Sequence, residues 1–107
     1  MSEPIPVVRL SGDVDLARAP ALREELMTAV NNRHEGLVVD LTGADYLDSA
    51  GVNVLFEVAE ELQRHQLGMA LVIPPDSIVE KVVTLVDLGS VAPVERDVEA
   101  ALAHIRG

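Results

Sequence analysis

One short stretch organises the chain: Tyr46–Gly51, with the sequence YLDSAG. An apolar, strand-like run (Leu37–Leu41) precedes it, and a long run with helical periodicity follows Gly51. Ser49 is therefore predicted to lie where a loop becomes the N-terminus of a helix. The first backbone N–H groups of a helix have no intrahelical partner, and they lie at the positive end of the helix dipole. The stretch is thus suited to holding an anion, including a phosphate carried by the serine itself.

Strand-like and helical runs alternate on both sides of this stretch. The predicted strands are Val7–Leu10, Leu37–Leu41, Met69–Ile73 and an edge strand within Val91–Val94, where Pro93 is tolerated. Apolar residues at helical spacing follow each strand. Because helical crossovers join neighbouring strands, the sheet is expected to be largely parallel. The prediction is an α/β fold: a single domain over residues 1–107 with about four mostly parallel strands and four helices, led by a loose segment over residues 1–6.

Carboxylates concentrate in the segments that follow the first two predicted strands. A loop is predicted over Ser11–Asp15 and another between Leu41 and the helix that contains Ser49. These segments and the end of the second strand carry five aspartates, namely Asp13, Asp15, Asp40, Asp45 and Asp48. Ligands of open parallel sheets bind outside the carboxyl ends of the strands, so this edge is the predicted functional one. The competing interpretation is that the aspartates only cap helices and form turns, for which their side chains are well suited.

The composition narrows the range of partners. A net charge of −10 over 107 residues disfavours direct binding of nucleic acid and favours a protein partner with a basic face. The N-terminus carries no signal-like segment, and no apolar run reaches the roughly 18 residues of a membrane span, so a cytoplasmic protein without membrane insertion is expected. There is no cysteine, and neither the three histidines nor the seven glycines form a metal or nucleotide pattern. No metal or other cofactor is therefore expected.

Ser49 itself has two interpretations at this point. It could cap the following helix, although Val52 stands where a capping box would place Glu or Gln. It could instead be a reactive site, but no histidine or lysine lies near it in sequence to activate it as a nucleophile. Catalysis is therefore disfavoured, and the chain is not expected to be an enzyme. A serine that another enzyme modifies needs no such activation.

With these motifs in place, the sequence resembles the STAS domain family, specifically the bacterial anti-sigma factor antagonists. The matching segments are Gly12–Asp15, Val38–Leu41 and Leu47–Gly51, together with Gly68 and Pro74 on either side of the third strand. The resemblance extends from about Val7 to Ile105. The Asp-Ser-x-Gly element at the start of the long helix is its most specific part.

The resemblance implies a phosphorylation switch. Ser49 would be the phosphoacceptor of a serine kinase that doubles as the anti-sigma factor, and Asp48 its supporting neighbour. The unphosphorylated form would bind the anti-sigma factor and so release a sigma factor, and a phosphatase would reset the switch. The partner-binding residues would be Asp13, Asp15, Asp48, Ser49, Val52 and Asn53.

The sequence departs from the family pattern in two places. Many members begin with an extra strand, which is short or missing here, and the exposed sheet edge could support a homodimer. Ala50 replaces a frequent Ser or Thr, which leaves one hydroxyl in the motif.

Two alternative functions stay open. The first alternative is a STAS accessory subunit of a transporter or a stress-signalling complex. The second is an aspartyl-phosphate receiver built on Asp13, Asp15 and Asp40, which would need Mg²⁺ and a lysine; Lys81, the only lysine, is predicted inside a helix.

Overall fold

A computed structural model of the chain describes residues 4–31 and 34–107. The described strands form one sheet in the order β1-β2-β3-β4, and every neighbouring pair is parallel. The α/β prediction of four parallel strands and four helices is confirmed for this part of the chain. The elements are β1 (Val7–Val14), α1 (Ala19–Ala29), β2 (Gly36–Leu47), α2 (Ser49–Arg64), β3 (Gly68–Val72), α3 (Ile78–Leu85), a 3₁₀ turn (Leu88–Ser90), β4 (Val94–Glu95) and α4 (Val98–Arg106).

Alternation along β2 decides which helices cover each face of the sheet. Leu37, Val39 and Leu41 belong to the larger core cluster, to which α1, α2 and α3 also contribute buried residues. Val38 faces the opposite side, where it packs in a smaller cluster with Ala101 of α4. Successive side chains of a strand point to opposite faces, so a continuous apolar run indicates a strand buried on both. No helix among the described residues is long and apolar enough to cross a membrane.

The N-terminal lead is anchored where the structure describes it. Ile5 is buried in the smaller cluster, and the carbonyl of Pro6 accepts a hydrogen bond from the backbone N–H of Val38 at 3.0 Å. The predicted looseness of residues 1–3 falls outside the described residues. Residues 4–6 form no strand, so within the described chain β1 pairs with β2 alone and is one edge of the sheet. The short β4 is the other edge, as expected, but it begins after Pro93 and shares only Val94 with the predicted strand Val91–Val94.

Both strands that lead to the Ser49 region are longer than predicted. The predicted loop over Ser11–Asp15 is wrong, because β1 continues to Val14, and the predicted loop after Leu41 is wrong, because β2 continues to Leu47. Parallel pairing continues through two register shifts, between Arg9 and Ser11 and between Gly12 and Asp13, and Gly12 adopts a φ of +73°. Pairing satisfies the backbone groups of these turn-like sequences without requiring a turn.

The end of α2 yields a stability prediction. Gln66 follows the helix with a φ of 60°, in the left-handed region that costs a non-glycine residue about 1–2 kcal/mol. Gln66→Gly should therefore raise the free energy of unfolding by up to about 1 kcal/mol, since glycine relieves this strain at a smaller entropic cost. Urea unfolding measures the change. The control Glu60→Gly, on the exposed face of the helix interior, should lower the same quantity by about 1 kcal/mol. Equal losses in both variants would contradict the prediction.

Candidate functional site

Asp48 joins the turn after β1 to the start of α2. One carboxylate oxygen, Oδ1, accepts a hydrogen bond from the backbone N–H of Gly51 at 2.9 Å, which makes Asp48 the N-cap of the helix. The other, Oδ2, accepts from the N–H of Leu16 at 3.0 Å. The N–H of Asp48 itself donates to the carbonyl of Val14 at 3.2 Å. A single residue thus holds together two segments that are more than thirty positions apart in the chain.

Ser49 is not the cap. It is the first residue of α2, it is exposed, and its hydroxyl makes no hydrogen bond with any other described residue. The interpretation of Ser49 as an N-cap is therefore wrong, because the neighbouring Asp48 already satisfies the helix N–H group that a cap would bind. The Ser49 hydroxyl is left accessible at the positive end of a 16-residue helix.

Gly51 allows α2 to begin directly against β1. A Cβ atom at this position would lie 2.6 Å from the carbonyl oxygen of Val14 and 2.8 Å from Cδ1 of Leu47. Both distances are too short for a methyl group, so only glycine permits this close approach. The Asp-Ser-x-Gly spacing therefore serves the packing of the helix start as well as its capping.

An open groove of about 480 Å³ lies beside Ser49, between the end of β2, the first half of α2 and α3. Four of the predicted partner-binding residues, Asp48, Ser49, Val52 and Asn53, come together on its wall. The remaining lining residues, which were not predicted from the sequence, are apolar or aromatic: Tyr46, Leu47, Phe56, Val82 and Val86. Tyr46 had a local signal, since it is one of only two aromatic residues and stands just before the motif. The α3 residues had none.

Asp13 and Asp15 lie outside the groove. Asp13 is exposed near the end of β1, in register with Tyr46 of β2. The carboxylate of Asp15 accepts a hydrogen bond from the N–H of Arg18 at 3.2 Å, which is a turn-forming role. The hydrogen bond from Leu16 to Asp48 links the segment that contains Asp13 and Asp15 to the start of α2. Leu16 itself exposes 72% of its surface. The predicted partner-binding residues therefore divide into a groove-lining set and an adjoining pair.

Asp40 is buried and fully engaged. Its Oδ1 accepts hydrogen bonds from the N–H and the hydroxyl of Thr42, at 2.9 and 2.7 Å, and its Oδ2 lies 3.5 Å from Nε of Arg9. These contacts account for the one carboxylate inside the apolar run of β2. Across residues 4–31 and 34–107, no cluster of three or more acidic, histidine or cysteine side chains is arranged to hold a metal ion.

The two hydrogen bonds that the Asp48 carboxylate accepts lead to a prediction with a matched control. Asp48→Asn should lower the free energy of unfolding by about 1–2 kcal/mol, because an asparagine oxygen replaces only one of the two acceptors and its NH₂ group cannot accept. Asp97 caps α4 through one hydrogen bond, from the N–H of Ala100 at 2.7 Å. Asp97→Asn should therefore change the free energy of unfolding by less than about 0.5 kcal/mol. Urea unfolding measures both. Hydrogen exchange at the Leu16 amide should also accelerate in Asp48→Asn. Equal stability losses would contradict the two-acceptor role.

Comparison with known proteins agrees with this architecture. The model of the STAS domain family matches residues 2–101. The anti-sigma-F factor antagonist RsfB of Mycobacterium tuberculosis is 27% identical over 104 residues, which make up 96% of this chain and 83% of RsfB. The BtrV protein of Bordetella bronchiseptica is 34% identical over 97 residues, 91% of this chain and 83% of BtrV.

Solved structures share the fold. An anti-sigma factor antagonist from Mycobacterium paratuberculosis superposes with a TM-score of 0.79 at 26% identity, covering 100% of this chain and 91% of its own. The STAS domain of a SulP transporter from Vibrio cholerae superposes with a TM-score of 0.70 at 18% identity, covering 97% and 82%, and shows the fold alone. Both the sequence match and the parallel sheet with its α2 motif lead to one conclusion: this chain belongs to the STAS domain family.

Proposed function

We propose that this domain is a non-enzymatic anti-sigma factor antagonist whose partner binding is switched by phosphorylation of Ser49. The observation that carries the proposal is the accessible Ser49 hydroxyl at the first position of α2, with the capping role taken by Asp48. The names of the M. tuberculosis relative and of the M. paratuberculosis structure support the same class of function. In the proposed cycle, the unphosphorylated domain binds an anti-sigma factor that is also a serine kinase, and a phosphatase restores this form.

The surroundings of Ser49 favour a local switch over a refolding one. A phosphate adds about −1.5 to −2 charges. The helix N-terminus can tolerate it, but the Asp48 carboxylate at the adjoining position already occupies the N–H of Gly51 and repels a second anion. The new charge is therefore poorly compensated within the domain. We place the basic groups of the partner opposite the carboxylates around the groove and not opposite Ser49. A partner that covers Ser49 in this way would bury the phosphate without a counter-ion, and binding would be lost while the fold stays intact.

The proposed partner surface combines Ser49 with its neighbours. Asp48, Ser49, Val52 and Asn53 contribute through the groove wall, and Asp13 and Asp15 through the adjoining end of β1. The net charge of −10 favours a partner with a basic face. The absence of a histidine or lysine bonded to Ser49 among the described residues supports a role as phosphoacceptor rather than nucleophile.

Phosphate mapping tests the proposal. Wild type and Ser49→Ala are incubated with ATP and each serine-kinase anti-sigma factor encoded in the same genome, and the modified residue is located by mass spectrometry. Phosphate on Ser49 in the wild type, and none in Ser49→Ala, is expected. Phosphate at another residue would overturn the assignment. Recovery of a transporter in pull-downs, in place of a small ATP-binding kinase, would favour the accessory-subunit alternative.

A further inference from the structure

We propose that the groove beside Ser49 is the site where the anti-sigma factor inserts an apolar side chain, so that the contact surface extends from α2 onto α3. This inference rests on the proposed function and adds to it a second, phosphorylation-independent anchor. The groove volume of about 480 Å³ falls within the range of roughly 300–1,000 Å³ that is typical of ligand pockets, so the groove has room for an inserted side chain. Its occupant is defined by the chemistry of the lining and of the rim.

The lining is apolar away from Ser49. Phe56, Val82 and Val86 are partly buried side chains at the margin of the main core, and Tyr46 at the groove edge leaves 46% of its surface exposed. Removing such a surface from water is favourable only if the occupant is itself apolar. Interface anchors are of this kind: a side chain that fills a pocket and is surrounded by a polar rim.

The rim is predominantly acidic. Asp48 is the only charged residue among the nine that line the groove. Four exposed charged residues directly adjoin lining residues in the chain, and three of them are acidic: Asp45, Glu57 and Asp87, against the one cation Lys81. Together with the net charge of −10, this rim selects an apolar side chain presented on a basic protein surface. Because Ser49 lies on the same wall, a partner that covers Ser49 also covers the groove.

Filling or reshaping the groove tests its role. Val86→Phe narrows the groove, Tyr46→Ala removes part of its edge, and Leu85→Phe is the matched control, since Leu85 is the neighbouring residue, is 85% exposed and lies outside the groove. Affinities for the anti-sigma factor that binds the wild type are measured by calorimetry, after circular dichroism has verified the fold. Val86→Phe and Tyr46→Ala should each weaken binding about tenfold or more, and Leu85→Phe should leave it unchanged.

The outcomes separate this inference from the proposed function. Wild-type affinity in both groove variants, with binding by the wild type intact, would overturn the groove and leave the Ser49 switch standing. Failure of the wild type to bind any anti-sigma factor would overturn both. An affinity that does not fall as the salt concentration rises would contradict the basic partner surface that the acidic rim requires. Losses in both groove variants and a salt-sensitive affinity would together support the proposal.

Discussion

Ser49→Glu is expected to weaken binding of the anti-sigma factor by about thirtyfold to several thousand-fold, while Ser49→Ala keeps the wild-type affinity. A badly paired charge in an interface costs about 2–5 kcal/mol, which corresponds to this range. The glutamate would introduce its charge at the first position of α2, next to Asp48, on the wall that the partner is proposed to cover. Alanine removes only a hydroxyl that makes no hydrogen bond to the described residues. Calorimetry or surface plasmon resonance measures the affinities.

Two controls separate the interface charge from other causes. An acidic residue at a helix N-terminus is favourable, so Ser49→Glu should unfold at the same temperature as the wild type or slightly above it. Ala103→Glu adds the same charge at an exposed position of α4, the helix that packs on the face of the sheet opposite to α2 and α3. It should bind like the wild type. Equal affinities of Ser49→Glu and Ser49→Ala would defeat the switch.

Gly36→Ala is expected to lower the free energy of unfolding by about 3 kcal/mol and the melting temperature by roughly 10 °C. A Cβ at Gly36 would collide with the carbonyl oxygen of Gly68 and would lie 3.0 Å from Cγ2 of Ile105. The carbonyl belongs to the neighbouring strand, so relief requires β2 and β3 to separate at their first paired residues. Calorimetric melting and urea unfolding measure the loss.

The control lies directly across the sheet. Gly68 is the register partner of Gly36, and a Cβ there would meet only Cγ1 of Ile105, at 3.8 Å, an ordinary contact. Gly68→Ala should therefore keep the stability of the wild type within about 1 kcal/mol. Loss in both variants would show that the strand start itself, rather than the collision with the Gly68 carbonyl, demands glycine.

Local sequence signals accounted for most of the fold. The alternation of strand-like and helical runs correctly predicted a parallel α/β sheet, because connections between parallel strands require crossovers. The N-caps of α3 and α4 are local in the same sense, since Ser77 and Asp97 each accept a hydrogen bond from a backbone N–H only three residues away. The loops after β1 and β2 were predicted wrongly, because turn-like residues there are held in strand pairing by a partner strand distant in sequence.

The candidate site divides in the same way. The position of Ser49 at a helix start could be predicted locally, but which residue caps the helix could not, since Asp48 and Ser49 are both suitable caps. The hydrogen bond from the N–H of Leu16 to Asp48 leaves no local signal in the sequence, because the two residues are 32 positions apart. The α3 side of the groove could not be predicted either, because the helical spacing of Val82 and Val86 indicates only that they face the core.

The sequence by itself thus determined the order and type of the elements, the acidity of the domain and the place of Ser49 at the start of α2. These properties follow from hydrophobic periodicity, charge and hydrogen bonds that span a few residues. The tertiary structure alone decided that Asp48 caps the helix, that Ser49 is left accessible, that a groove reaches α3 and that Gly36 has no room for a methyl group while Gly68 has. Each of these depends on contacts between segments far apart in the chain, where packing and not local preference sets the distance.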